Sequence, residues 1–70
     1  MHYPDLEMLY EKHGGKFRVA VLLQRRVQQL VRGDKKLVAV DSDNPMDIAV
    51  AEARAGKIWL DESDDLKSQN

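Results

Sequence analysis

A chain of 70 residues with eleven basic and twelve acidic side chains, a formal charge of −1 and no cysteine allows one domain around a thin core. The near-neutral balance argues against a dedicated nucleic-acid binder, which draws most of its affinity from a basic excess. With neither disulfides nor a Cys-His set to staple so small a fold, independent stability is expected to be marginal, and help has to come from packing or from a partner.

Met1 to Pro4 is a short lead, and Pro4 suits the opening of a helix because its missing N–H would have no helical partner. A helix is expected from Asp5 to Lys12, with Leu6, Leu9 and Tyr10 on one face. His13-Gly14-Gly15 ends it in a sharp reversal. Lys16 to Gly33 is the one stretch long and apolar enough to nucleate a core. At about 100° per residue, Val19, Ala20, Leu23, Val27, Leu30 and Val31 fall on one arc, with Phe17 and Val21 at its edge. That arc is the expected core face. Arg18, Arg25 and Arg32 recur every seven residues on the opposite arc, beside Arg26 and Gln29. They are expected to be solvated or to meet something acidic. Leu22 sits among them, where a self-contained small domain has no reason to place a leucine, and reads as part of a second, partner-facing surface.

After Gly33, Asp34-Lys35-Lys36 is a polar turn. Leu37 to Val40 is a short β-prone run, expected to lie extended across the helices or to add to another chain's sheet edge. Asn44-Pro45-Met46-Asp47 has an N-cap residue, a proline at the first helical position and an acid two residues on, resembling a capping box. A third helix is expected from Pro45 to Ala55, with Met46, Ala49, Val50 and Ala53 as its stripe and Ile48, Ala51 and Ala55 widening it. Gly56 caps it, and Lys57 to Leu60 forms a second strand-like piece. Asp61 to Asn70 is too polar to order itself and is expected to fray. The fold class is therefore mostly α, a small three-helix module with short extended connecting segments, organised as one domain over 1–60 and an acidic flexible tail over 61–70.

No catalytic residue, metal ligand, cofactor site or small-molecule substrate site emerges. Asp41, Asp43, Asp47 and Glu52 match four positions of a calcium loop, but Pro45-Met46 stands where such a loop needs its turn glycine, so these acids read as helix-capping groups. His2 and His13 read as surface histidines, and Ser42, Ser63 and Ser68 have no positioned base. The longest apolar run, Val19 to Leu23, is far below a membrane span or a signal segment, and the absence of cysteine suits a reducing compartment, which makes a soluble cytoplasmic protein the expectation. The arginine stripe is either a solvated helix face or a binding surface for an acidic protein or a phosphate backbone. Leu22 and the net acidity favour protein over nucleic acid. Trp59 either closes the core or anchors an interface, and is taken as an anchor. The expected partner interface is Phe17, Arg18, Leu22, Arg25, Arg26, Gln29, Ile58 and Trp59. The alternative is a small nucleic-acid-binding or regulatory module using the Arg18/Arg25/Arg32 face.

GGKFRVAVLLQRRVQQLVRG followed by NPMDIAVAEARAGKI resembles the omega subunit of bacterial RNA polymerase. The resemblance rests on the Lys16-Phe17 opening, the Arg25-Arg26 pair, Gly33, the Ala49-x-x-Glu52 step and the closing Gly56-x-Ile58, in that order, from about Gly14 to Ile58. The chain departs from that pattern at Arg18, where an acid is frequent, and at Gln28, where a third basic residue is common. The resemblance implies a non-catalytic subunit that clamps the beta-prime subunit, assists polymerase assembly and takes no part in nucleotidyl transfer. Some family members also use their extreme N-terminus in an alarmone site; Met1 to Pro4 shows no match to that segment.

Overall fold

The computed structural model describes residues 6–69 and comprises three helices followed by a hairpin: α1 (Leu6–His13), α2 (Lys16–Val31), α3 (Pro45–Arg54), β1 (Ile58–Leu60) and β2 (Leu66–Ser68). The lead through Pro4, and a helix start at Asp5, lie outside the described residues. The glycine stops act where the sequence places them. At the end of α2 the Gly33 N–H donates to Leu30 O and the Asp34 N–H to Gln29 O; at the end of α3 the Gly56 N–H donates to Ala53 O and the Lys57 N–H to Glu52 O. Both are Schellman closures, which require the positive φ of 111° at Gly33 and 74° at Gly56. Helix α3 starts as its sequence demands, with Asn44 Oδ1 accepting from the Met46 and Asp47 N–H groups. The expected reciprocal arm of the capping box is bridged: the Asn44 N–H donates to the Ser42 hydroxyl, which in turn donates to Asp47.

Leu9, Val19, Leu22, Leu23, Ala49, Val50, Ala53 and Ile58 form one buried cluster. Ala49 and Ala53 have no exposed surface, and their small side chains let α2 approach α3 closely. The expected core face of α2 is corrected here. Its buried arc is Val19, Leu22, Leu23 and Arg26, with Val27 and Leu30 half-buried, while Phe17, Ala20 and Val31 are exposed. Leu22, expected to face a partner, is 0% exposed. The face is turned by roughly 60° from the one drawn through apolar residues alone, because Arg26 stands at the centre of the buried arc. A periodicity that assigns every arginine to water necessarily rotates away from it.

The segment after Asp61 is a second correction. Instead of fraying, it turns back and pairs antiparallel with β1, with Ile58 opposite Ser68, Trp59 opposite Lys67 and Leu60 opposite Leu66. Leu60 and Leu66 pack against the buried cluster, and Trp59 lies on the outer face. The turn supplies its own order: Asp61 Oδ1 accepts from the Ser63 and Asp65 N–H groups, and Asp64 adopts a left-handed φ of 61°. Leu37 to Val40, too short to make a sheet alone, forms no strand within the chain and bends at Leu37 and Val38. It coils instead, with the Lys36 ammonium donating to Val40 O and Ser42 O.

Two outcomes are expected. Leu22→Ala should lower stability by about 2–5 kcal/mol, whereas Val31→Ala, at an exposed site of the same helix, should stay within about 0.5 kcal/mol. Urea titrations followed by circular dichroism measure both. The second outcome concerns pH. Hydrogen bonding from the Asp65 N–H above all, then from Ser63, with Lys67 nearby, holds the Asp61 carboxyl below the ordinary aspartate value. A lowered folded-state pKa means that the stabilisation is complete above the unfolded-state value and is lost as pH falls through the folded one. Acid titration of Trp59 fluorescence should show the hairpin loosening only below the ordinary aspartate range, with the dependence weaker in Asp61→Asn, which keeps an accepting oxygen but no charge.

Candidate interaction surface

The polar interior is built on one ion pair. Arg26, 3% exposed, points from α2 into the interface with α3 and meets Glu52, which is 0% exposed. Arg26 Nε donates to Glu52 Oε1 at 2.6 Å and Arg26 Nη2 to Glu52 Oε2 at 2.9 Å. Both groups make further bonds. Arg26 Nη2 also donates to Lys35 O, Nη1 donates to Gln29 Oε1, and Glu52 Oε2 accepts from the Leu37 N–H at 2.7 Å. Asp34 stands 3.8 Å from Nη1 at the rim. Among the described residues no buried side-chain nitrogen or oxygen lacks a partner. The pair therefore ties α2, α3 and the connection between them together, and neither member is a surface group. Glu52, read from sequence as a capping acid, is instead the counter-ion of the core. The signal available for it was a single acid inside the alanine-rich stripe of α3.

The other arginines are spent differently. Arg18 Nε donates to His13 O, Nη2 donates to Leu60 O and Asp61 O, and Nη1 pairs with the Asp64 carboxylate. Arg25 Nη1 donates to Asp64 O. Two arginines of the stripe, Arg18 and Arg25, thus reach the chain's own hairpin turn, and Arg32 is not among the groups bonded there. His13 is also not a free surface residue: it is half-buried, and its Nε2 lies 3.0 Å from Ala53 O, while the Lys12 ammonium donates to Arg54 O at 2.9 Å. Both bring basic groups to the carbonyl end of α3.

Of the residues expected at a partner interface, Leu22, Arg26 and Ile58 are buried and drop out as surface contacts. Their burial follows from the rotation of α2 and from β1 turning Ile58 inward. Arg18 and Gln29 are half-buried and engaged within the chain. Phe17, 81% exposed, Arg25 and Trp59 remain on the surface. Phe17, Arg18, Val21 and Arg25 line one shallow hollow together with Leu60 and Asp64. Sequence reasoning placed Val31 in the core, but it is 70% exposed, as is the similarly apolar Met8 of α1. The described residues contain no group of three or more His, Cys, Asp or Glu that could hold a metal ion, and none of their helices is long and apolar enough to cross a membrane.

Removing one partner of the buried pair strands the other as an uncompensated charge. Glu52→Ala should therefore cost about 3–5 kcal/mol, and Arg26→Met with Glu52→Leu together should cost less than Glu52→Ala alone. Denaturant unfolding of the single and double variants measures the difference.

The comparisons with known proteins cover this same assembly of elements. The RNA polymerase Rpb6 family model matches residues 9–59, from within α1 into β1. The chain is 46% identical over 56 residues, 80% of either chain, to a protein named DNA-directed RNA polymerase subunit omega from Caldanaerobacter subterraneus subsp. tengcongensis. Proteins of that name from Thermoanaerobacter sp. (strain X514), at 43% over 80% of either chain, and from Rhodopirellula baltica, at 34% over 89% of this chain and 69% of the relative, are similar as well. No solved structure matches. The Arg26–Glu52 core, its capping glycines and the first two residues of β1 fall inside the matched span, and the chain belongs to the RNA polymerase Rpb6 family, as a relative of the omega subunits.

Proposed function

We propose that this chain is a non-catalytic, cytoplasmic subunit that binds the beta-prime subunit of RNA polymerase and promotes assembly and stability of the enzyme. The observation that carries this reading is a division of labour between polar and apolar groups. The polar side chains best suited to chemistry, Arg18, Arg26 and Glu52, are consumed by contacts inside the chain, whereas Phe17, Met8 and Val31 stand exposed on a protein with a small core. Exposed large apolar side chains on so small a domain support association rather than catalysis. We place the interface on the surface around Phe17, Arg25 and Trp59, without Leu22, Arg26 or Ile58. The alternative, phosphate binding through Arg18, Arg25 and Arg32, is weakened by the hydrogen bonds and ion pair that commit Arg18 to the acidic loop.

A subunit that binds its folded partner and not the unfolded one stabilises it by RT ln(1 + [L]/Kd), about 2.7 kcal/mol at a hundredfold excess over Kd. Reconstituting the polymerase from its other subunits with this chain present should therefore raise the yield of assembled enzyme, measured by gel filtration and promoter-independent transcription. Elongation rate per assembled complex should be unchanged. An unaltered yield at saturating chain, accompanied by salt-sensitive binding to free DNA, would overturn the assembly reading.

A further inference from the structure

The placement of Arg26 decides what α2 shows to the outside. Phe17 lies nine residues from Arg26, about 900° of helical rotation and hence on the opposite side of the helix. Ala20, Gln24, Gln28 and Val31 follow Phe17 within about 60° of the same line, and all five are exposed. They make an uncharged stripe about 21 Å long, with Phe17, Gln24 and Val31 at seven-residue spacing. Such spacing is what one helix presents to another. Along one edge of the stripe stand Arg25 and Arg32, both exposed, and among the described residues neither is in an ion pair. Arg25 spends one N–H on a carbonyl, which leaves its charge without a carboxylate.

The occupant follows from charge. Helix α2 carries Lys16, Arg18, Arg25 and Arg26 and no acidic residue. A second copy packed antiparallel along the stripe would set one arginine edge against the other, and a parallel copy would bring no acid either. A phosphate backbone would satisfy Arg25 and Arg32 but leave Phe17 and Val31 uncovered. We propose that the outward face of α2 is a docking stripe for one amphipathic helix of a partner polypeptide, its apolar seam covering Phe17 to Val31 and its flank beside Arg25 and Arg32 acidic. This deepens the assembly reading and rests on it for the identity of the partner, though not for the chemistry of the occupant.

Two synthetic helical peptides test the chemistry: both carry leucines at heptad spacing, and they differ only in having glutamates or lysines along the flanks. The glutamate peptide should bind, with amide shifts concentrated at Phe17, Ala20, Gln24, Gln28 and Val31, and the lysine peptide should not. Phe17→Ala and Val31→Asp, both at exposed positions, should keep the helical circular dichroism and weaken binding by about tenfold or more. Arg32→Glu should weaken the glutamate peptide and rescue the lysine one. Equal binding of the two peptides, shifts elsewhere on the protein, or binding of a DNA duplex that Phe17→Ala leaves intact would overturn the proposal. Titrating the same variants into polymerase reconstituted without this chain separates the two readings. If the parent chain binds and Phe17→Ala and Val31→Asp bind equally well, the docking stripe is overturned and the assembly reading stands. If the parent does not bind at all, the assembly reading falls, and the peptides still decide the stripe.

Discussion

The rest of the fold depends on Arg26 being inside. Two ions withdrawn from water lose several kcal/mol of hydration each, and their attraction repays this only where geometry is close and every remaining donor and acceptor is satisfied. Glu52 meets that condition: both of its oxygens take bonds from the guanidinium, and one also takes the Leu37 N–H. Because the same guanidinium holds Lys35 O and Gln29, the pair fixes both the rotation of α2 and the path of the connection to α3. A pair of aliphatic side chains could fill the space. It would leave the facing of α2 to Val19, Leu22, Leu23, Val27 and Leu30, whose apolar surface spans a wide arc.

A second arginine does for the hairpin what Arg26 does for the helices. Arg18 reaches the last carbonyl of α1, two carbonyls of the β1 end and the carboxylate of Asp64, which joins the start of α2 to both neighbours. Two strands of three residues would not persist alone. They persist here because Ile58, Leu60 and Leu66 join the core and because the basic helix neutralises the acidic turn. The chain's near-zero net charge thus conceals a separation along the sequence, a helix with no acids and a turn rich in them, that folding brings into register.

Once these internal pairings are made, the surface that remains is defined by subtraction. Arg18, Arg26, Glu52 and Asp64 are committed, and the uncommitted face of α2 is a line of Phe17, Ala20, Gln24, Gln28 and Val31 with Arg25 and Arg32 on its edge. A protein that uses its charges to hold itself together and leaves an uncharged line with Phe17 and Val31 outside fits the association role proposed for it. The family match over residues 9–59 supports the proposal that its partner is RNA polymerase.

The parts that sequence alone determined are those governed by neighbours along the chain. Glycine stops at Gly33 and Gly56, the Asn44-Pro45 start of α3 and the strand character of Ile58 to Leu60 were legible because each depends on local φ, on a missing N–H or on a side chain reaching two or three residues. The order of Phe17, Arg25-Arg26, Gly33 and Glu52 was likewise enough to carry the family. Tertiary structure alone decided the orientation of α2 and the fate of the acidic segment. Arg26 and Glu52 are 26 residues apart, and Arg18 and Asp64 are 46 apart; a charge read without its partner is assigned to water, which turned Leu22 outward and left residues 61–69 unordered. The cost of burying an ion is a property of the residue, but whether that cost is met is a property of what the fold sets beside it.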